Sequence, residues 1–281
     1  MAAPEFVAVG HVTLDRIGET IRPGGAALYA AVTAHRLGLT AGILTSHAAD
    51  FPLDAVPPRI EVVSVPAVQT TTFEHREVDG QRALRVTEAA RPLGLADVPD
   101  DWREAPMVLL APVLNEVDPL IATAFAEASL GAAAQGWLRG LGPEGAVTLT
   151  TWTPPDFLLG RLQALFLSRE DVGGDVTGAV EMFQRVPVGA LTAGEKGALL
   201  FVNGERYEVR PHPAREVDGT GAGDVFAAAF LIDYHRDGNP WDAAALAACA
   251  GALSVGGEGI AGIPDRAALA AALRAYRAAN S

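Results

Sequence analysis

The order of apolar and polar positions divides the chain into short buried runs and longer alanine-rich stretches. "EFVAVGHVTLD", Glu5 to Asp15, opens apolar, breaks at Gly10 and ends on a carboxylate. It predicts a buried first strand feeding a loop. "GGAALYAAVTAHRLGL", from Gly24, predicts a helix closed by Gly38, and "TAGILTSHA" a second strand. The chain therefore starts strand, loop, helix, strand, which is the opening of an α/β fold. Residues 59 to 88 are more polar, with alternation around Phe73, His75 and Glu77 and a hairpin signal at Asp79-Gly80. They predict a small β excursion from the main domain. "MVLLAPV", "AVTLTTW" and "ALFLS" predict further strands, and "ALLFVNGERYEVR" a hairpin turning at Asn203-Gly204. "VFAAAFLIDYHRDG" predicts a helix ended by Gly238. Two more follow over "PWDAAALAACAGALSVGG" and "PDRAALAAALRAYRAAN", with Pro240 and Pro264 suited to their starts. No internal repeat or low-complexity linker interrupts this order.

Composition narrows the function classes. The chain has 281 residues and is 49% hydrophobic, enough for a large core and too apolar for disorder. A formal charge of −13 disfavours nucleic acid and anionic membranes as partners. It leaves anionic small molecules open, because backbone N–H groups can make a site locally positive. The lone cysteine, Cys249, has no partner for an internal disulfide and reads as a small buried helix residue. The opening "MAAPEFVAVGHV" lacks a basic region followed by a long apolar run. No segment reaches membrane-spanning length without charges or turn residues, so a cytoplasmic protein is expected.

The stretch "EVDGTGAGDVFAAAF", from Glu216, carries the chemistry. A glycine run stands immediately before an apolar helix. Free N–H groups at a helix start point outward and the helix dipole adds positive character, so the turn suits a phosphate. Asp224 in the first helical turn reads two ways. It supports the helix electrostatically, or it is a general base beside the anion pocket. Two common phosphate motifs fail. After Gly189 and Gly194, Glu195 stands where a P-loop needs lysine. After Gly221 and Gly223, Phe226 stands where a dinucleotide fingerprint needs a small residue.

"DGTGAGDVFAAAF" resembles the C-terminal signature of the ribokinase-like (PfkB) carbohydrate kinases, usually D-T-x-G-A-G-D. Gly221, Ala222, Gly223 and Asp224 match fully, Asp218 and Thr220 also match, and Gly219 replaces a threonine. "GGAALYAA" is similar to the family's N-terminal di-glycine signature, without its usual asparagine; Leu28 and Tyr29 stand near that place. "LTAGEKGALLF" resembles the T-x-G-x-x-G nucleotide segment through Thr192, Gly194 and Gly197. "LSREDV" falls where the family has N-x-x-E, with Ser168 and Asp171 at that spacing and Glu170 adjacent. The "GHVTLD" opening looks like the inositol-kinase-like branch.

The resemblance implies one ribokinase-like α/β domain over 1–281. It would be a three-layer fold, with a central mostly parallel sheet flanked by helices and a small β lid over the substrate. The lid is expected over about 12–23 and 59–88. The implied reaction is transfer of the ATP γ-phosphoryl group, with Mg2+, to a hydroxyl of a sugar, a polyol such as inositol, or a nucleoside. Asp224 would be the base, and the N–H groups of Gly221, Ala222 and Gly223 the anion hole. Thr192, Gly194, Gly197, Ser168, Asp171 and Thr220 would bind the nucleotide. Either Glu170 or Asp171 would position magnesium, Glu170 through water. Asp218 would help hold a monovalent cation, potassium. Asp15 would accept hydrogen bonds from a diol, with Gly24 and Gly25 letting the substrate approach. His11 and Asn115 are substrate contacts on this reading, although a hydrogen-bonded structural histidine and an ordinary loop cap account for them equally. Glu116 shares the Asn115 loop, and Lys196 either approaches the phosphates or is a plain loop lysine. Arg76, Arg82 and Arg85 leave a phosphosugar open. Unpaired lid edges predict a homodimer through the lid. The competing functions are a non-catalytic metabolite-binding or regulatory protein on the same fold, which would not need Asp224, and a dehydrogenase, which the failed fingerprint disfavours.

Overall fold

The computed structural model describes residues 2–78, 81–174 and 176–280. In chain order its strands and helices are β1 (Phe6–Val9), β2 (Thr13–Ile17), β3 (Thr20–Gly24), α1 (Ala26–Arg36), β4 (Ala41–His47), β5 (Ile60–Pro66), β6 (Thr72–Val78), β7 (Gln81–Glu88), β8 (Met107–Leu110), β9 (Ser129–Ala133), β10 (Arg139–Leu141), β11 (Val147–Leu149), α2 (Asp156–Leu159), β12 (Ala164–Ser168), α3 (Thr177–Phe183), β13 (Val188–Thr192), β14 (Ala198–Val202), β15 (Glu205–Val209), α4 (Ala222–Asp237), α5 (Pro240–Ser254) and α6 (Arg266–Asn280).

Nine strands form the central sheet, in the order β15-β14-β13-β12-β9-β8-β1-β4-β5. From β5 to β13 every pairing is parallel, and only the β13–β14 and β14–β15 pairings are antiparallel. A parallel sheet needs cover on both faces, and β1 shows it at single-residue resolution. Phe6 and Ala8 join the core under α1, α4 and α5, while Val7 and Val9 join a second core with Trp102, Phe125 and Phe183. The first layer is built of long helices. The second is built of the short α2 and α3 and of 3₁₀ turns at Leu95–Asp97, Asp100–Glu104 and Pro119–Ala124.

The helix boundaries follow from their ends. Gly238 takes a left-handed conformation after α4 and returns its N–H to the Tyr234 carbonyl at 2.8 Å. The Asn239 side chain then accepts from Trp241 and Asp242, with Pro240 in the first helical turn of α5. The last helix starts at Arg266, two residues after the expected Pro264. Asp265 supplies the reason, because its carboxylate accepts from the Ala268 N–H at 2.8 Å.

Three segments depart from the sequence expectation. Ile60–Pro66, expected in the lid, pairs parallel with β4 and is the edge of the main sheet. The separate sheet is β3-β2-β6-β7, so its second half begins at Thr72 rather than 59. "AVTLTTW" gives only Val147–Leu149, in a hairpin with β10 outside the main sheet. Ser129–Ala133 is a central strand that alanine and glycine conceal, since both are poor strand formers. The expected Asp79-Gly80 turn lies outside the described residues, and β6 and β7 pair antiparallel up to Val78 opposite Gln81. One lid edge, β7, is partly covered: Arg85 bridges Ala146, and the Arg85 Nε donates to the Glu144 carbonyl at 2.6 Å. Among the described residues no helix is long and apolar enough to cross a membrane.

Phe230 of α4 is fully buried, with its ring 5.3 Å from Phe166 and 5.6 Å from Tyr234. Phe230→Ala should lower unfolding free energy by about 3–5 kcal/mol, read as a shift in the urea midpoint at unchanged slope.

Candidate active site

The C-terminal ends of β1, β8, β12 and β13 open on one edge of the sheet, where parallel α/β folds place their ligands. α4 begins beside them. Gly221 sits at its start with φ 77°, and a Cβ there would overlap the ring of Tyr29 from α1. Only glycine lets the turn approach that ring, so the first N–H groups of α4 stand against α1 with no side chain between.

Asp224 lies in the first turn of α4, half-buried and closely surrounded by protein. Loss of solvation pushes its carboxyl up to about 7; Arg139 pulls it down and Asp171 pushes it further up. Asp171 is buried and tied into the loop after β12. Its carboxylate accepts from the Ser168 N–H at 2.7 Å and from Gln135 Nε2 at 3.0 Å, and its own N–H donates to Ser168 Oγ at 3.1 Å. Glu170 next to it is exposed. The two expected candidates are thereby separated, because Asp171 faces the charges of the cleft and Glu170 faces solvent. Across the parallel register Ser168 stands opposite Thr192, whose hydroxyl donates to the Leu167 carbonyl at 3.4 Å. Gly194 and Gly197 follow in the same turn, both at positive φ, with Lys196, the single lysine of the chain, exposed between them.

Asp15, on β2 of the small sheet, is 8% exposed. Burial raises its carboxyl above the usual range and Asp218 adds to this, against His75, a 3.1 Å hydrogen bond from Thr13 Oγ1, and Arg139. A Cβ at Gly24 would overlap the Asp15 carboxylate, and Gly25 turns the chain into α1 at φ 100°. Burial alone would raise Asp218. Hydrogen bonds from Thr220 and from the Gly259 N–H, with Arg22 at 3.7 Å, outweigh it and hold the carboxyl below the usual range. Arg22 also pairs with Glu258 at 3.3 Å. Each Asp218 oxygen thus accepts one backbone N–H and keeps further lone pairs, with Arg22 close by. Around the same turn, burial and the charges of Asp218, Asp15 and Asp224 push the Tyr29 phenol upward.

Other expected contacts serve the backbone. The ring of His11 meets Thr71 Oγ1 at 2.7 Å and the Arg91 carbonyl at 2.9 Å, leaving no ring nitrogen for a ligand. Glu116 accepts from the N–H groups of His11, Val113 and Leu114 at 2.7–3.0 Å, which clamps the ends of β1 and β8 together. Asn115, at φ 59°, lines a shallow cavity with Arg91, Gly94, Asp97 and Asp118, a lining that includes neither Asp15 nor Asp224. Burial pushes the Cys249 thiol up to about 11, consistent with an inert core residue.

Residues 163–266 match the description "pfkB family carbohydrate kinase". The matched stretch holds the glycine turn, Asp224 and the whole of α4 and α5. Among curated proteins, a rice inositol 3-kinase is 31% identical over 267 residues, covering 87% of this chain and 64% of the relative. The chain thus spans a little under two thirds of that relative's length. A cytidine kinase of Thermococcus kodakarensis is 24% identical, covering 83% of this chain and 89% of its own. A pyrophosphate-dependent kinase of the ribokinase family, solved with sulfate, superposes at TM-score 0.79 with 20% identity, covering 95% and 99%. Arabidopsis thaliana ribokinase, solved with ribose and ATP, superposes at 0.72 with 21% identity, covering 97% and 99%. These likenesses confirm the ribokinase three-layer fold.

Arg139 and Arg22 stand in the charged cleft although no motif announced them. Arg139 follows a strand hidden by alanine and glycine, and Arg22 lies in a polar hairpin. The only signal in the sequence is a charged residue close after a buried run.

The position of Asp224 has a consequence for stability. Its folded value is above its unfolded one, so the stability it contributes is full below pH 3.8 and lost as pH rises through about 7. Asp224→Asn should therefore match wild type near pH 3.5 and gain on it progressively above. By pH 8 it should be more stable by on the order of 2 kcal/mol, after allowing for partial solvent contact, as measured by urea unfolding across pH.

Proposed function

We propose that this protein is a phosphotransferase that moves the terminal phosphoryl group of ATP to a hydroxyl of a small carbohydrate-like acceptor. The observation that carries this reading is a carboxyl raised toward neutrality by burial, Asp224, in the same first turn of α4 as the N–H groups of Gly221, Ala222 and Gly223, of which, among the described residues, only that of Ala222 meets a carbonyl, Gly219 at a long 3.4 Å. The acceptor hydroxyl gives its proton to Asp224 as its oxygen attacks phosphorus. The N–H groups of Gly221, Ala222 and Gly223 donate to the phosphoryl oxygens, and Thr220 stands at the entry to the same turn. Asp15 binds the acceptor by accepting from neighbouring hydroxyls, with Gly24 and Gly25 beneath it. The acceptor is a polyol or sugar, in keeping with the activity named for the rice relative. Thr192, Gly194, Gly197 and Ser168 lie on the donor side.

Magnesium fits this site as an ion shared with the donor phosphates, since it is commonly held by one or two carboxylates plus substrate oxygens. Asp171, directly or through water, is the carboxylate for it, and the ion would neutralise charge on the leaving phosphates. A monovalent cation, potassium, belongs to the same reading at Asp218, beside the turn that opens α4, where Arg22 already lowers the cost of its charge.

A second donor is favoured by one observation. Among solved structures, pyrophosphate-dependent kinases superpose at TM-scores of 0.79 and 0.78, above the 0.72 of the ribokinase solved with ATP. Inorganic pyrophosphate carries the same terminal phosphoryl group and needs no purine site.

Purified protein should release product from Mg-ATP, or from Mg-pyrophosphate, only when a sugar, polyol or nucleoside of a tested panel is present. Asp224→Asn should lower kcat ~10²–10⁴-fold. Asp15→Asn should raise the acceptor KM about tenfold or more, with a smaller effect on donor KM. Potassium buffer should give a higher rate than sodium buffer, and equal rates would remove the cation from this reading. If no acceptor stimulates either donor while a polyol still binds, a sensor on the same fold replaces the enzyme.

A further inference from the structure

Arg139 is held in the cleft by a rigid segment and has almost no partner there. Residues Ala134–Leu138 form a 3₁₀ turn leading out of β9. The Gly136 N–H donates to the Pro112 carbonyl at 3.0 Å, and a Cβ at Gly136 would overlap Pro112. Trp137 donates to the Val117 carbonyl at 2.8 Å and stacks on Trp152 at 4.6 Å. Gln135 holds Asp171. On its far side the hairpin that starts with Arg139 is fixed to lid strand β7 through Arg85 and the 144–146 turn. The backbone that carries Arg139 is therefore fixed on both sides.

It makes one long hydrogen bond, 3.3 Å to the Val113 carbonyl, and lies 5.9 Å from the centroid of Phe73 of the lid. It forms no ion pair among the described residues, although Asp171, Asp224, Glu116 and Asp15 all act on it through space. Glu116 is turned to three backbone N–H groups, so it does not neutralise Arg139 directly. A guanidinium has five N–H donors in a fork that fits phosphate oxygens, and here most of them have no acceptor. Such a half-buried cation between Asp15 on the acceptor side and Asp171 and Asp224 on the transfer side is complete only when an anion enters.

We propose that Arg139 is a catalytic residue that donates to the phosphoryl group while it passes from donor to acceptor. The inference rests on Asp224 as the base. As the acceptor oxygen forms its bond to phosphorus, its proton goes to Asp224. The bond from phosphorus to the donor's bridging oxygen breaks, and the electron pair leaves on that oxygen. The Arg139 N–H groups follow the phosphoryl oxygens through this exchange and reinforce the α4 donors from the opposite side.

Arg139→Ala and Arg139→Lys, checked by thermal unfolding against wild type, test this. For Arg139→Ala, kcat should fall ~10²-fold or more with both KM values within about threefold, and millimolar guanidinium should restore part of the rate. Arg139→Lys should stay at least about tenfold down, because an ammonium lacks the fork. An unchanged kcat, or a rise confined to the acceptor KM, overturns the proposal; the latter would make Arg139 an acceptor ligand. A second readout needs no turnover: calorimetric binding of inorganic phosphate in the presence of Mg-ADP. Affinity should drop about tenfold or more in Arg139→Ala, and equal affinity overturns the proposal. Wild type that binds phosphate through Arg139 yet transfers nothing would instead sink the kinase reading.

Discussion

A parallel sheet buried on both faces confines chemistry to the ends of its strands. Seven strands of this sheet run parallel from β5 to β13, with their faces sealed by two separate cores. Polar side chains within those faces would lose hydration without gaining partners. The strands therefore read as near-continuous apolar runs; Thr192 closes β13, and the loops leaving the C-terminal ends carry Asp171 and the clamp at Glu116. The start of α4 adds backbone donors at the same edge, supplying positive character without a charged side chain. An acidic chain can hold a phosphate in this way.

The carboxylates of the cleft differ because their surroundings differ. Asp218 keeps its charge through hydrogen bonds and Arg22 despite burial. Asp15 and Asp224 lack that support and rise. Each is close enough to Arg139 that one cation moderates both, which links the lid to the helix start electrostatically. Burial is the largest influence on Asp224 and carries its carboxyl to about 7.

Several polar residues at the cleft are architectural. His11 ties the end of β1 to the entrance of β6 and to the turn at Arg91, and Glu116 gathers three N–H groups that no strand partner satisfies. Both lie where strand ends leave unpaired backbone groups, and such groups must find partners when buried. Chemistry-bearing residue types near a site are therefore expected from backbone satisfaction alone, and only the contact pattern separates them from ligands.

The sequence by itself determined the fold class, and it singled out the glycine run before α4. Its alternation of apolar runs with alanine-rich helices specifies layers, and the glycines specify a turn that packs closely on α1, because both depend on local periodicity and backbone freedom. It did not determine which strand joins which sheet. Ile60–Pro66 has the pattern of a lid strand yet pairs with β4, and Ser129–Ala133 has little strand character yet sits mid-sheet. Pairing is a long-range choice set by what remains unburied once the other strands are placed. Tertiary structure alone distinguished Asp171 from Glu170, gave Asp218 an internal cation, and brought Arg139 among four carboxylates. The physical reason is the same in each case: charge interactions are fixed by distance and desolvation, and neither is written in the spacing of residues along a chain.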